Sequence, residues 1–144
     1  MDMDQYASRG LECICGNLRM ASRAVTSVYD GHLRQAGLQA SQMAVLWAVA
    51  GMPGATIKDI AARIAMDETA LLRNLRVIEG RGWIDIDIGS DRRQRLPKLT
   101  AEGRRVFERA LPLWKAAQDQ IAAVIDGSVR QINRQLLKLT RAVT

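Results

Sequence analysis

Aromatic residues are scarce: three Trp, two Tyr and one Phe make up 4% of the 144 residues. Leu, Ile, Val and Ala supply the apolar side chains instead, a balance that favours helices. There is one His, no Gly-rich phosphate loop and no convincing nucleophile-base pair, so an enzyme is not expected. The two Cys are too few for a closed four-ligand zinc site within one chain. No metal or cofactor is expected. The N-terminal stretch MDMDQYASRG carries acids and lacks the apolar region of a secretory signal. Gly37 to Ile57 has no formal charge, but Gln39, Ser41, Gln42, three glycines and Pro53 interrupt it, which excludes a membrane span. Two thiols and no targeting segment point to the cytoplasm.

What is present is an ordinary globular balance, 48% apolar and 25% charged. Net charge is +6 with a sequence pI near 10.0, a footprint that suits a polyanion. The length fits a single domain, residues 1–144. Its centre is Thr56 to Thr100. Thr56 is a candidate N-cap with Asp59 three residues on, followed by Ile57, Ile60, Ala61 and Ile64 at helical spacing. Asp67 can cap a second helix with Leu71, Leu75 and Ile78 on one face. The spacing predicts a helix-turn-helix whose second helix enters a DNA major groove.

Gly80 and Gly82 can end that helix, and Ile84, Ile86 and Ile88 then alternate with Asp85 and Asp87. Gly89-Ser90-Asp91 supplies turn chemistry, with Arg92, Arg93 and Arg95 at or beside the tip. A basic hairpin after a helix-turn-helix is a wing, suited to phosphates and the minor groove. The expected fold is mostly α with a small β-hairpin wing, the winged helix-turn-helix occupying 38–100.

The flanks read as helices. Leu11, Ile14, Leu18, Ala21, Val25 and Val28 form a heptad-like stripe in a helix expected from about Leu11 to Gln35. Ser41 is the expected cap of a helix carrying Met43, Leu46, Trp47 and Ala50, which Gly51-Met52-Pro53-Gly54 ends. Thr100 is the expected cap of a long helix with Phe107, Ala110, Trp114, Ala117, Ile121 and Val124 on one side and a disturbance at Pro112. Asp126-Gly127 breaks it, and Ser128-x-x-Gln131 boxes a last helix with Val129, Ile132, Leu136, Leu139 and Val143 on one side. Arg130, Arg134, Lys138 and Arg141 fall on another side. Apolar stripes at 8–36 and 101–144, with no domain of their own, suggest pairing with a second copy. A two-fold dimer matches a palindromic site with recognition helices about one DNA turn, ~34 Å, apart.

Leu38-x-x-Ser41-Gln42, Ile60-Ala61, the Asp67-to-Glu79 helix, Asp91-x-Arg93 and Leu99-Thr100-x-x-Gly103 resemble the MarR family of bacterial regulators, along nearly the whole chain. The resemblance implies a homodimer built from the first and last two helices, acting as a repressor that an effector releases. It also implies that Asp91 holds a neighbouring arginine and shapes the hairpin, with Arg93 reaching the minor groove. The family usually has a basic residue near Ile86; here Asp85 and Asp87 flank it, and both are expected to face solvent.

Thr69, Ala70, Arg73 and Asn74 are the expected base-reading residues, since Arg suits guanine, Asn adenine and Ala a thymine methyl. Arg76, Arg92 and Arg95 are expected at phosphates. The bland alternative is a solvated helix face. Cys13 and Cys15 are redox candidates: Cys15, Ser22-Arg23 and Tyr29 resemble in spacing the branch of the family that senses organic hydroperoxides. That branch relies on tyrosines where this chain has Arg19 and Ala40. Side chains two apart on an intact helix point about 200° apart, so a helical pair cannot readily form a disulfide. The resemblance also implies an effector crevice between the terminal-helix region and the winged motif, often occupied by aromatic acids; Arg19, Arg23, His32 and Trp47 are the candidates there, charge for a carboxylate and a ring for stacking. Ordinary half-buried cysteines, a satisfied histidine and a core tryptophan are the plainer readings. The rival from another class is a winged protein-protein adaptor that binds no specific DNA, for which Arg73, Asn74 and Arg93 would be dispensable.

Overall fold

A computed structural model describes residues 3–144; Met1 and Asp2 lie outside them. The chain runs through α1 (Met3–Arg9), α2 (Ile14–Leu33), α3 (Ala40–Gly51), α4 (Ile57–Arg63) and α5 (Glu68–Gly80). The antiparallel strands β1 (Ile84–Ile88) and β2 (Arg95–Leu99) follow, then α6 (Ala101–Ala122) and α7 (Val129–Val143). Among the described residues no helix is long and apolar enough to cross a membrane.

Capping sets most helix starts. Thr56 Oγ1 accepts the Asp59 N–H while the Asp59 carboxylate accepts the Thr56 N–H, both at 3.1 Å, and Ser128 and Gln131 make the same reciprocal pair. Asp67 Oδ2 accepts the Ala70 N–H at 3.1 Å. Each arrangement supplies a partner to an orphan amide of the first turn. The connection from α4 to α5 puts Ala65 at φ 52, and the Met66 N–H donates back to the Ala61 carbonyl at 2.9 Å. This is the left-handed helix end usually given to glycine.

Three expectations at helix boundaries are corrected. The first long helix begins at Ile14, not near Leu11, because Cys13 is extended (ψ 111) and caps it, its Sγ accepting the Gly16 N–H at 3.4 Å. Its end comes at Leu33, after which a 3-10 turn (Arg34–Ala36) carries the chain into a left-handed Gly37. The cap of α3 is Gln39, not Ser41: the Gln39 N–H donates to Gln42 Oε1 at 3.0 Å. That amide pair does what a Ser cap would do two residues along, and leaves Ser41 exposed inside the helix. Pro112 lies on the exposed side of α6, which continues past it to Ala122.

The core gathers Leu33, Leu38, Leu46, Ile60, Leu71, Leu75, Ile78, Ile84 and Val106. Trp47 and Ala50 of the expected α3 stripe are exposed; Val45 and Val49 are buried in their place. In β1 the expected alternation holds at its base, with Ile84 buried, and fades toward the tip, where Ile88 is 63% exposed. Pro97, buried in β2, needs no ladder donor on a strand of a two-stranded sheet.

The Leu99-Thr100-x-x-Gly103 segment locks the wing to α6. Thr100 N–H donates to the Trp83 carbonyl (3.1 Å) and its hydroxyl to the Gly82 carbonyl (2.6 Å), while Oγ1 accepts the Gly103 N–H (3.0 Å). A Cβ on residue 103 would lie 1.8 Å from the Trp83 carbonyl oxygen. Only glycine lets α6 approach the wing base so closely.

Candidate nucleic-acid interface

Helix α5 buries Leu71, Leu75 and Ile78 against α3 and α4, which turns its other side outward. Thr69, Arg73 and Arg76 are exposed; Ala70 and Asn74 are half-buried. Asn74 Nδ2 donates to the Ala70 carbonyl at 3.1 Å, so one amide proton is held by its own helix, leaving the second proton and the Oδ1 acceptor. The guanidinium of Arg73 has no such tie among the described residues and keeps its fork of donors.

The wing tip is shaped by its own side chains. The Arg93 N–H donates to Asp91 Oδ1 at 3.0 Å, the same oxygen lies 3.6 Å from Arg93 Nε, and the Gln94 N–H donates to the Asp91 carbonyl at 2.9 Å. Such an Asx turn sets the tip's direction. Arg95 Nη1 donates to the carbonyls of Arg92 (2.6 Å) and Gln94 (3.1 Å), so its charge braces the turn. Arg93 is left 93% exposed on its side chain. Asp85 and Asp87 are exposed, and Asp87 Oδ2 pairs with Lys98 Nζ at 2.7 Å across the hairpin. That hydrogen bond and charge raise the Lys98 ammonium above the usual lysine range. The wing's acids are thereby partly offset by its own cation.

Between α5 and the wing runs a groove of about 750 Å³. Thr69 forms one wall and Arg93 and Arg95 the other, with Asp91 at the tip. Arg73, Asn74, Arg76 and Arg92 do not line this groove; they stand on the outer faces of helix and hairpin. Lys58, in the first turn of α4, does line it and is exposed. Sequence reasoning passed over Lys58; its signal was a cation two residues after a helix cap, where an amide terminus already favours an anion. Asp59 nearby is held below the usual carboxylate range by the Thr56 hydroxyl and amide, with a smaller contribution from Lys58.

A second cavity, about 360 Å³, lies between α2, α3 and α6 and is lined by Tyr29, Leu33, Met43, Trp47 and Trp114 with two alanines. Trp47 packs edge-on to Phe107 (5.5 Å between centroids) and tilted against Trp114 (5.0 Å). Of the four expected effector residues only Trp47 borders this space. Arg19 and Arg23 are exposed on α2, and His32 Nε2 is engaged with Gln120 Oε1 at 2.8 Å. Tyr29, which donates to Gln118 Oε1 and whose phenol is raised above its usual range by burial, and Trp114 were not among the expected residues of this wall. Their positions on separate helices gave no local spacing to detect.

Cys13 and Cys15 are both free and exposed. With Cys13 outside the helix as its cap, the intact-helix geometry expected for the pair does not apply. The described residues hold no group of three or more His, Cys, Asp or Glu suited to a metal.

The sequence matches the MarR family over residues 36–94. Among solved structures, the M. tuberculosis transcriptional regulator MosR in complex with DNA is similar at 33% identity and a TM-score of 0.84, covering 91% of this chain and 96% of that one. CouR from Rhodococcus jostii, bound to p-coumaroyl-CoA, is 25% identical with a TM-score of 0.75, covering 88% of this chain and 91% of that one. An uncharacterised HTH-type transcriptional regulator of Bacillus subtilis, YwoH, is 25% identical over 91 residues, 63% of this chain and 66% of that protein.

Proposed function

We propose that this chain, which belongs to the MarR family of DNA-binding transcriptional regulators, is a homodimeric repressor that reads a palindromic operator and is released by a small ligand or by thiol oxidation. The observation that carries the reading is the pair of cationic fronts described above. Arg73 and Arg76 stand on the outer face of α5, and Arg93 projects from a wing tip braced by Asp91 and Arg95. Thr69, Ala70, Arg73 and Asn74 meet base edges, and Arg76, Arg92 and Lys58 meet phosphates; Arg93 enters the minor groove. The similarity to MosR, solved with DNA, supports this use of the fold.

Dimer formation draws on the unsatisfied apolar stripes. Ile14, Leu18 and Val25 of α2 and Ile132, Leu136 and Leu139 of α7 are all at least 36% exposed. Exposed apolar stripes of that kind on two helices of one chain call for a partner.

Release draws on two features. The aromatic-walled cavity beside Trp47 suits a flat apolar ligand, in keeping with CouR, solved with p-coumaroyl-CoA. Cys13, the cap of α2, and Cys15, in its first turn, are both free and exposed, within reach of an oxidant from solvent. An organic hydroperoxide would oxidise such a thiol to the sulfenic acid and leave as the alcohol.

The test is a DNA-binding titration on the gene's own upstream region. Arg73→Ala and Arg93→Ala are each expected to weaken binding, the former by about 1–3 kcal/mol, and Arg92→Ala to lower the salt slope by about one. Hydroperoxide should free the DNA from wild type and leave the Cys15→Ser protein bound. Binding untouched by peroxide removes the thiol branch and keeps the ligand branch. Binding that is indifferent to salt and to these arginines sinks the DNA reading and favours an adaptor.

A further inference from the structure

Helix α2 passes into α3 through an elbow, residues 34–39, in which Gly37 is left-handed (φ 73) and the Leu38 N–H donates to the Leu33 carbonyl at 3.3 Å. Two side chains hold this elbow from opposite directions. From α2, Asp30 Oδ1 accepts the Ala40 N–H at 2.6 Å, a charge-assisted bond to the first turn of α3. From the end of α5, Arg81 Nη1 donates to the Gly37 carbonyl at 2.8 Å, a contact across 44 residues. The Arg81 guanidinium also lies 4.9 Å from the Trp83 ring centroid. Trp83 is buried, and its carbonyl carries the Thr100 N–H and lies against Gly103. The elbow is thus strapped to the helix expected to pair with a second copy and, separately, to the end of the recognition helix and the base of the wing. Two other polar ties of α2, Tyr29 to Gln118 and His32 to Gln120, run to α6 and do not reach α5.

We propose that Asp30 and Arg81 are positioning residues for operator binding. By holding the elbow they keep the recognition helix at a set angle to α2, and in a two-fold dimer that angle determines the half-site spacing the protein accepts. The inference rests on the homodimeric DNA-binding reading above. Neither side chain needs to touch DNA. Arginine is suited to the task because its planar fork bonds a carbonyl while its flat face stacks on an aromatic ring, which lysine does not reproduce.

The experiment uses the full chain and palindromic duplexes that wild type enriches from a randomised pool. The best duplex is remade with one base pair added or removed between half-sites. Wild type is expected to lose on the order of tenfold in affinity on either change, the scale of a mismatched site. Arg81→Ala and Asp30→Ala should bind the parent duplex several-fold more weakly, yet distinguish the three spacings by less than about threefold, with the salt slope unchanged because no phosphate contact is lost. Arg81→Lys, which keeps a donor but not the stacking, should fall between them and wild type. Retention of the full spacing preference by Arg81→Ala overturns the proposal, whatever happens to its affinity or melting temperature. A shallower salt slope in Arg81→Ala would make Arg81 a phosphate contact and would also overturn it. If wild type itself enriches no duplex, the DNA reading falls and takes this inference with it. A failure confined to the variants removes the inference alone.

Discussion

The winged region and the terminal helices carry similar apolar stripes and meet opposite fates. In α4 and α5 most of the stripe is buried: Ile60, Leu71, Leu75 and Ile78 are all 0% exposed, and only Ile64, at the end of α4, is half-buried. In α7, a helix of equal regularity, Ile132, Leu136 and Leu139 remain 38–41% exposed and no residue is buried. The N-terminal half of α2 behaves like α7, with Ile14 67% exposed, while its C-terminal end, at Leu33, joins the core. Amphipathicity alone therefore does not say where an apolar face is satisfied. The winged region closes its core within one chain, whereas α7 and the N-terminal half of α2 leave their apolar faces exposed.

The largest effect should come where the winged region is locked to α6. Gly103→Ala places a methyl against the Trp83 carbonyl, and a backbone oxygen cannot rotate away, so a loss of about 3 kcal/mol or more is expected. Chemical denaturation measures it; a loss below about 1 kcal/mol would mean that α6 shifts freely on the wing base.

Next comes a matched pair that addresses the comparison directly. Leu75→Ala should cost about 2–5 kcal/mol of unfolding free energy through the cavity it leaves. Leu136→Glu should leave the far-ultraviolet circular dichroism unchanged while analytical ultracentrifugation shows a shift from dimer to monomer. If Leu136→Glu unfolds the chain in place of splitting it, the division between a self-sufficient region and an expectant one is wrong.

A smaller, opposite effect is expected at Ala65. Its φ of 52 is left-handed, where a Cβ costs about 1 kcal/mol relative to glycine. Ala65→Gly should therefore raise the melting temperature by a few degrees; no change would show that glycine's extra freedom in the unfolded chain offsets the relief.

The smallest effect is a pH dependence at the start of α4. The Asp59 carboxyl is depressed in the folded chain by its bonds to Thr56. Its contribution is present above the ordinary aspartate range, near pH 4, and is lost as pH falls through the lower folded value. The protection of the Asp59 and Ile60 amides, relative to their intrinsic exchange at each pH, should fall on acidification in wild type, and that fall should be absent in Thr56→Ala.

Much of this was legible beforehand because capping is local. Thr56 with Asp59, Asp67 with Ala70, Thr100 with Gly103 and Ser128 with Gln131 each join residues three apart, within reach of a pattern read along the chain. The wing was visible for a similar reason: alternating Ile and Asp, then a turn rich in Gly, Asp and Arg. The errors were also local but chemically less usual. Gln39 caps α3 through an amide and Cys13 caps α2 through a sulfur, residue types that a search for Ser, Thr, Asp and Asn passes over. The wall of the aromatic-lined cavity was least legible. Arg19, Arg23 and His32 were chosen for charge, whereas the cavity wall depends on how α2 and α6 are rotated about α3, which brought Tyr29 and Trp114 beside Trp47.

The sequence by itself determined the order of elements, the positions of most helix starts and the concentration of arginine on the outer face of α5 and at the wing tip. Those features depend on interactions over three or four residues and on side-chain periodicity. The tertiary structure decided which stripes are buried, why position 103 must be glycine, how Arg95 is drawn into the turn, and how Asp30 and Arg81 hold the elbow between α2 and α3. Contacts across 44 or 89 residues exist only once the helices have packed, because the chain entropy that opposes them is overcome by the core and by no local signal.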